Sequence, residues 1–280
     1  MWKLYGNKEP LGGQTAKSRR IYVVLVTVGL ILVVAASQAL FSSSREYSES
    51  RSEYDELREL YPVMSMYLPS ASYPPLPGDP IAPEQRAAAP GSAGTEPLIQ
   101  DSPGAKRPDP LADLLELNPD FIGWIAIEGV IDYPVVRGAD NDLYLDTTFS
   151  RNHNPSGTVF MDSRLTQGFY APVCILYGHN MRDGTMFAPL HQYYSKAYMA
   201  EHPYIAVVTL RGEVLFYQVF AARYTNVLNK AYELGYTDGA AAAEAFTGAP
   251  DGATRFLLLS TCTNSEDKNE RLLIYASLVN

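Results

Sequence analysis

Between Ile21 and Phe41 the chain runs for 21 residues without a charge. No other feature restricts its fold so tightly. As a helix rising about 1.5 Å per residue, this run matches a hydrocarbon core of roughly 30 Å. A signal-peptide apolar region is shorter, about 7–15 residues. The length therefore favours an uncleaved anchor. A cleaved signal remains the alternative, and the small residues between Ala35 and Ala39 would suit it. Lys3, Lys8, Lys17, Arg19 and Arg20 precede the run, against the single acid Glu9. Excess positive charge on that side predicts a cytoplasmic N-terminus over 1–20, a membrane anchor over 21–41, and the remainder outside the cell.

Beyond the anchor the chain changes character twice. Residues 42–61 are charged and mostly free of helix breakers. Tyr47, Tyr54, Leu57 and Tyr61 recur at helical spacing, which predicts a surface or juxtamembrane helix. Residues 62–110 are dense in Pro, Ala, Gly and Ser. Such a stretch buries too little apolar surface to offset its ordering entropy, and it reads as an extended linker. The folded domain is expected over 111–280. A formal net charge of −9 argues against nucleic acid as a partner, because phosphate binding needs clustered Lys and Arg. Two cysteines are too few for a disulfide scaffold.

Within 111–280 about eight short apolar runs alternate with turns. Helices are expected near Leu111–Leu117, Thr185–Met199 and Gly239–Phe246, and Asp140-Asn141-Asp142 starts a polar loop or short helix carrying Tyr144 and Leu145. This is the pattern of an all-β barrel or a β-rich α+β domain. The last two runs matter most. Leu257-Leu258-Leu259-Ser260-Thr261-Cys262 ends on a cysteine, a polar loop comes next, and Arg271 opens the run that closes the chain. As an antiparallel pair they would bring Cys262 and Arg271 together at one rim. A thiol beside a fixed cation suits nucleophilic catalysis, since the thiolate is the attacking form. A buried structural cysteine with a solvated arginine is the plainer alternative.

Four histidines could supply a base. His153, His191 and His202 fall in polar or helical surroundings where surface or capping roles are expected. His179 ends an apolar strand, after Gly178, whose freedom would let the backbone turn sharply. If the strand 173–177 lies parallel to 255–261, His179 and Cys262 share an edge. Cys174, inside the first of these strands, is expected to be buried and inert. A Cys174–Cys262 disulfide is the structural alternative. It is disfavoured because the two thiols sit at different depths in their strands.

The motifs in chain order resemble those of a known family. Asn118-Pro119-Asp120-Phe121-Ile122-Gly123-Trp124-Ile125 and Asp132-Tyr133-Pro134-Val135-Val136 look like the opening of a class B sortase. Asp140-Asn141-Asp142-Leu143-Tyr144-Leu145 and Gly157-Thr158-Val159-Phe160-Met161-Asp162 continue the likeness. Tyr177-Gly178-His179-Asn180-Met181 resembles the catalytic histidine segment, and Leu259-Ser260-Thr261-Cys262-Thr263 the nucleophile segment. Arg271 falls at the position of the catalytic arginine.

The resemblance implies an eight-stranded sortase-type β-barrel with a few peripheral helices. It also implies a cysteine transpeptidase that cleaves a C-terminal sorting signal of a secreted protein. The acyl product would pass to an amine of the cell-wall precursor or of a pilin. In that reading Cys262 is the nucleophile, His179 the acid–base group and Arg271 the oxyanion stabiliser. Ser260, Tyr177, Asn141 and Leu145 match substrate-contacting positions. No metal or cofactor is implied; Asp140, Asp142 and Asp146 lack the spacing of a known calcium loop. A membrane-tethered cysteine hydrolase and a non-catalytic surface module remain as rival readings. An L,D-transpeptidase is disfavoured, because its His-Gly-rich segment before the cysteine is missing.

Overall fold

A computed structural model of the chain describes residues 16–67 and 109–279. The expected cytoplasmic residues before 16 and most of the expected linker, 68–108, lie outside the described residues. Two compact units divide between Ser48 and Glu49. The first contains the greater part of a long helix, α1 (Ala16–Leu60). Within it Arg20–Gln38 has a mean hydropathy of 2.4 and is long and apolar enough to cross a membrane.

The second unit, Glu49–Asn280, is organised by one closed sheet. Its strands are β1 (Phe121–Ile127), β2 (Ile131–Val136), β3 (Val159–Met161), β4 (Val173–Tyr177), β5 (Tyr204–Thr209), β6 (Val214–Asn226), β7 (Phe256–Cys262) and β8 (Glu270–Leu278). Around the barrel the order is β1-β2-β3-β4-β7-β8-β6-β5. Two neighbouring pairs, β2 with β3 and β4 with β7, are parallel; the others are antiparallel. Closure leaves no strand edge open, so every strand can be apolar over most of its length. β4 and β7 are buried throughout except at their last residues, Tyr177 and Cys262. These two strands thus offer side chains to solvent only at their ends.

The helices depart from expectation in two places. The charged stretch before Leu60 is continuous with α1, and its last turns belong to the barrel unit. Ser50, Tyr54 and Leu57, at helical spacing, are all buried. The first residues of the expected linker instead form α2 (Val63–Tyr67), with Val63 buried. A single helix over Thr185–Met199 is not formed either. Met186 has φ 56°, which a continuing helix does not allow. A 3-10 turn, Ala188–Tyr194, comes after it. Then the extended Ser195 accepts from the Tyr198 amide and starts α4 (Lys196–Glu201) afresh. The remaining helices, α3 (Pro110–Leu117) and α5 (Gly239–Ala245), lie close to the expected positions, each started by an aspartate cap, Asp109 and Asp238.

Candidate active site

Cys262 is the last residue of β7 and is exposed. The register of β7 against β8 makes Arg271 its direct cross-strand partner. On the other side of β7, parallel pairing sets Tyr177 opposite Ser260. The Gly178 amide extends that ladder by donating to the Ser260 carbonyl at 3.2 Å. His179 therefore leaves β4 at the rim where β7 reaches Cys262. Cys262, His179 and Arg271 line one cleft of about 550 Å³, together with Ser260, Tyr177, Asn141 and Leu145.

Gly178 is not among the residues at positive φ. A sharp left-handed turn is therefore not why glycine stands there. A Cβ at this position would lie 2.6 Å from the Phe187 ring, so glycine is required by close packing beneath the histidine. His179 Nε2 lies 2.7 Å from the Leu145 carbonyl. A carbonyl only accepts, so Nε2 carries a hydrogen, and Nδ1 is the nitrogen left to exchange a proton. Arg271 Nη1 donates to the carbonyls of Lys268 at 2.7 Å and Glu270 at 2.9 Å. These bonds fix the guanidinium at the mouth of the loop. Among the described residues, its Nε and Nη2 have no such acceptor.

A buried polar brace supports the cleft. Asp162 is fully buried and accepts from Arg164 Nε at 2.8 Å, Arg164 Nη2 at 2.7 Å and the Tyr177 hydroxyl at 2.9 Å. Burial alone would raise the Asp162 pKa. The arginine and tyrosine donors outweigh it and hold the carboxyl below its ordinary range. Burial, reinforced by the Asp162 charge, pushes the Tyr177 phenol well above its usual value. The Tyr177 ring lies parallel to Tyr232 at 6.5 Å, and the Tyr232 hydroxyl bonds Ser260 Oγ at 2.9 Å. Tyr232 comes from the segment after β6, which also contributes Val227, Leu228 and Glu233 to the cleft. Leu228 is 88% exposed and gives the cleft an apolar lip. Asn141 also lines the cleft, and its Oδ1 accepts from the Ser163 amide at 2.8 Å.

Cys174 is buried, and burial raises its thiol pKa far out of the reactive range. Both cysteines are free, so the disulfide alternative is excluded. His191 is not merely a surface residue. Its Nε2 lies 3.1 Å from the Cys262 carbonyl, and its ring packs beside Tyr224. Nothing local in the sequence signals this, because 71 positions separate the partners. His153 lies 3.5 Å from Asp146 at the exposed surface, and His202 caps α4. Asp140 is occupied in receiving the amides of Asp142 and Leu143. Among the described residues no His, Cys, Asp and Glu group could hold a metal ion.

A closed eight-stranded barrel with a thiol, an imidazole and a guanidinium in one rim cleft defines a narrow class of protein. The Sortase domain family model matches residues 126–279, more than half the chain, and the chain belongs to that family. Sortase B of Listeria monocytogenes is 43% identical over 96 residues, which are 34% of this chain and 39% of that protein. Sortase B of Staphylococcus aureus is 36% identical over 110 residues, 39% of this chain and 45% of that one. The matched segment thus spans less than half the length of either curated relative. The crystal structure of Clostridium perfringens sortase B superposes with a TM-score of 0.54 at 27% identity, covering 60% of this chain and 99% of that one. The relatives are of class B, in line with the resemblance carried by the motifs.

Proposed function

We propose that the chain is a membrane-anchored cysteine transpeptidase. It cleaves a sorting signal near the C-terminus of a secreted protein and passes the acyl chain to an amine of the cell-wall precursor or of a pilin. The observation that carries this reading is the meeting of Cys262, His179 and Arg271 in one cleft at the barrel rim. Arg20–Gln38 would be the anchor, with the N-terminus cytoplasmic and the barrel outside.

The chemistry derives from the groups. The Cys262 thiolate attacks the scissile carbonyl, and the carbonyl π electrons move to oxygen. Arg271, held by two backbone carbonyls, presents its remaining N–H donors to that oxyanion, a role usually worth about 3–4 kcal/mol. As the tetrahedral species collapses, the C–N bond breaks and His179 protonates the departing amine through Nδ1. A thioester remains. The acceptor amine then attacks it, losing a proton to His179, and the Cys262 thiolate leaves. Ser260, Tyr177, Asn141 and Leu145, with the 227–233 segment, would hold the extended sorting signal.

The test is a fluorogenic peptide panel on the full chain in detergent, with and without a primary amine. The expected result is Cys262-dependent cleavage whose product carries the added amine. Hydrolysis alone at every amine concentration would replace transfer by a peptidase activity. Cleavage that persists in Cys262→Ala would overturn the reading.

A further inference from the structure

We propose that Tyr54, on the last turns of α1, is a positioning residue for His179, acting through the turn at Gly157 and the carbonyl of Leu145. The proposal rests on the catalytic role of His179 given above. Tyr54 is remote in sequence from every residue of the cleft, yet it is buried within the barrel unit.

Its hydroxyl donates to the Gly157 carbonyl at 2.6 Å and lies 3.2 Å from Thr158 Oγ1. Gly157 has φ +57°, and a Cβ there would come within 2.4 Å of the Tyr144 oxygen and 2.8 Å of the Leu145 oxygen. The Gly157 backbone is therefore packed directly against the carbonyl that receives His179 Nε2. Two further bonds lock the turn to the same segment. The Thr158 amide donates to the Tyr144 carbonyl at 3.1 Å, and Thr158 Oγ1 donates to the Thr147 carbonyl at 2.8 Å. Beside it, Glu53 on the same helix accepts from the Ser150 amide at 2.9 Å. The helix thus grips the loop that fixes the imidazole tautomer.

A second path from the same tyrosine reaches the histidine backbone. The Tyr54 ring meets Tyr133 edge-on, with centroids 5.3 Å apart. The Tyr133 hydroxyl accepts from the Met186 amide at 2.9 Å, and the next amide, of Phe187, donates to the His179 carbonyl at 2.9 Å. Main chain and ring of His179 are both referred to one helix. Geometry held within a fraction of an ångström is what acid–base catalysis demands of such a support.

The experiment compares the full wild-type chain with Tyr54→Phe, which keeps the ring and its contacts but removes the hydroxyl. The expected result is a fall in kcat of about fivefold or more, with KM within about twofold, because chemistry rather than binding is disturbed. In histidine-labelled protein the His179 Nε2 proton, assigned by its loss in His179→Gln, should exchange faster with water. Unchanged kcat with unchanged exchange, or a change confined to KM, would overturn the proposal. If Tyr54→Phe does not fold, Thr158→Val loosens the same turn and is judged by the same readouts. A wild-type chain without Cys262-dependent cleavage would refute the catalytic reading alone, since the exchange measurement still decides whether Tyr54 holds His179.

Discussion

Cys262 and Arg271 are the last matched pair of the β7–β8 ladder, so the thiol-bearing and guanidinium-bearing residues are set opposite each other by backbone pairing. Strand register is fixed wherever one face is buried, and β7 and β8 are buried along nearly their whole length. A one-residue slip would turn Leu259 and Ile274, both fully buried, away from their present surroundings. The separation of thiol and guanidinium is thus a consequence of core packing. Replacing Arg271 by Ala should leave folding intact and lower turnover by about 10²–10³-fold, the usual effect of losing an oxyanion donor. Arg271→Lys should recover little of it, since an ammonium cannot bond two backbone carbonyls and still present a planar fork. Steady-state kinetics on the best peptide of the panel, beside unfolding curves, would check both.

The two thiols should differ sharply towards a neutral alkylating reagent. Cys262 ends its strand exposed, whereas Cys174 is enclosed in the barrel wall. In native protein only Cys262 is expected to react within minutes; in urea both should. Mass spectrometry of the labelled peptides would show it. Prompt native labelling of Cys174 would mean that the barrel opens far more readily than its packing implies.

Much of this site is legible in the sequence because it lies on short, strongly apolar runs. Leu257–Cys262 and the run opened by Arg271, joined by a short polar loop, read as an antiparallel pair and do pair so, and parallel pairing of β4 with β7 suits strands buried over most of their length. What could not be read are contacts between residues distant in sequence. The bond from His191 to the Cys262 carbonyl, the bond from Tyr54 to the Gly157 carbonyl, and the stacking of Tyr177 on Tyr232 leave no local signal. The break at Met186 is a different case. Pro189 interrupts 185–199, and the Met186 amide bonds the Tyr133 hydroxyl, a partner remote in sequence.

His191 offers a direct check on one of these contacts. Its Nε2–H donates to the Cys262 carbonyl, which steadies the backbone that carries the exposed thiol. His191→Ala should lower kcat by about three- to tenfold, an effect of one hydrogen bond, with little change in thermal stability. A full loss of activity would mean that His191, and not His179, exchanges protons with the thiol. Paired pH–rate profiles of His191→Ala and His179→Ala separate the two outcomes.

Gly178 tests the packing under the histidine. A methyl group there would stand 2.6 Å from Phe187, which is itself fully buried. Gly178→Ala should cost about 1–3 kcal/mol of stability by overpacking and displace His179 as well. Gly178→Ala combined with Phe187→Leu should recover much of the lost stability, because the smaller side chain vacates the ring position. Two independent effects would simply add; strong non-additivity in chemical denaturation is the expected signature.

Acid should weaken the brace beneath the cleft before it affects the barrel at large. The Asp162 pKa is depressed in the folded protein, so the unfolded chain binds its proton more readily. Stability from this group is therefore fully present above the unfolded carboxylate value of about 3.9 and is lost as pH falls through the lower folded value. Asp162→Asn removes that part of the pH dependence and should flatten the stability curve below about pH 4. It also leaves Arg164 and the Tyr177 hydroxyl without a charged acceptor, so the variant should be less stable than wild type at neutral pH and approach it in acid. Urea denaturation at several pH values from neutral down to about 3 measures the gap. A gap that stays constant across that range would show that the Asp162 pKa is the same in the folded and unfolded chain.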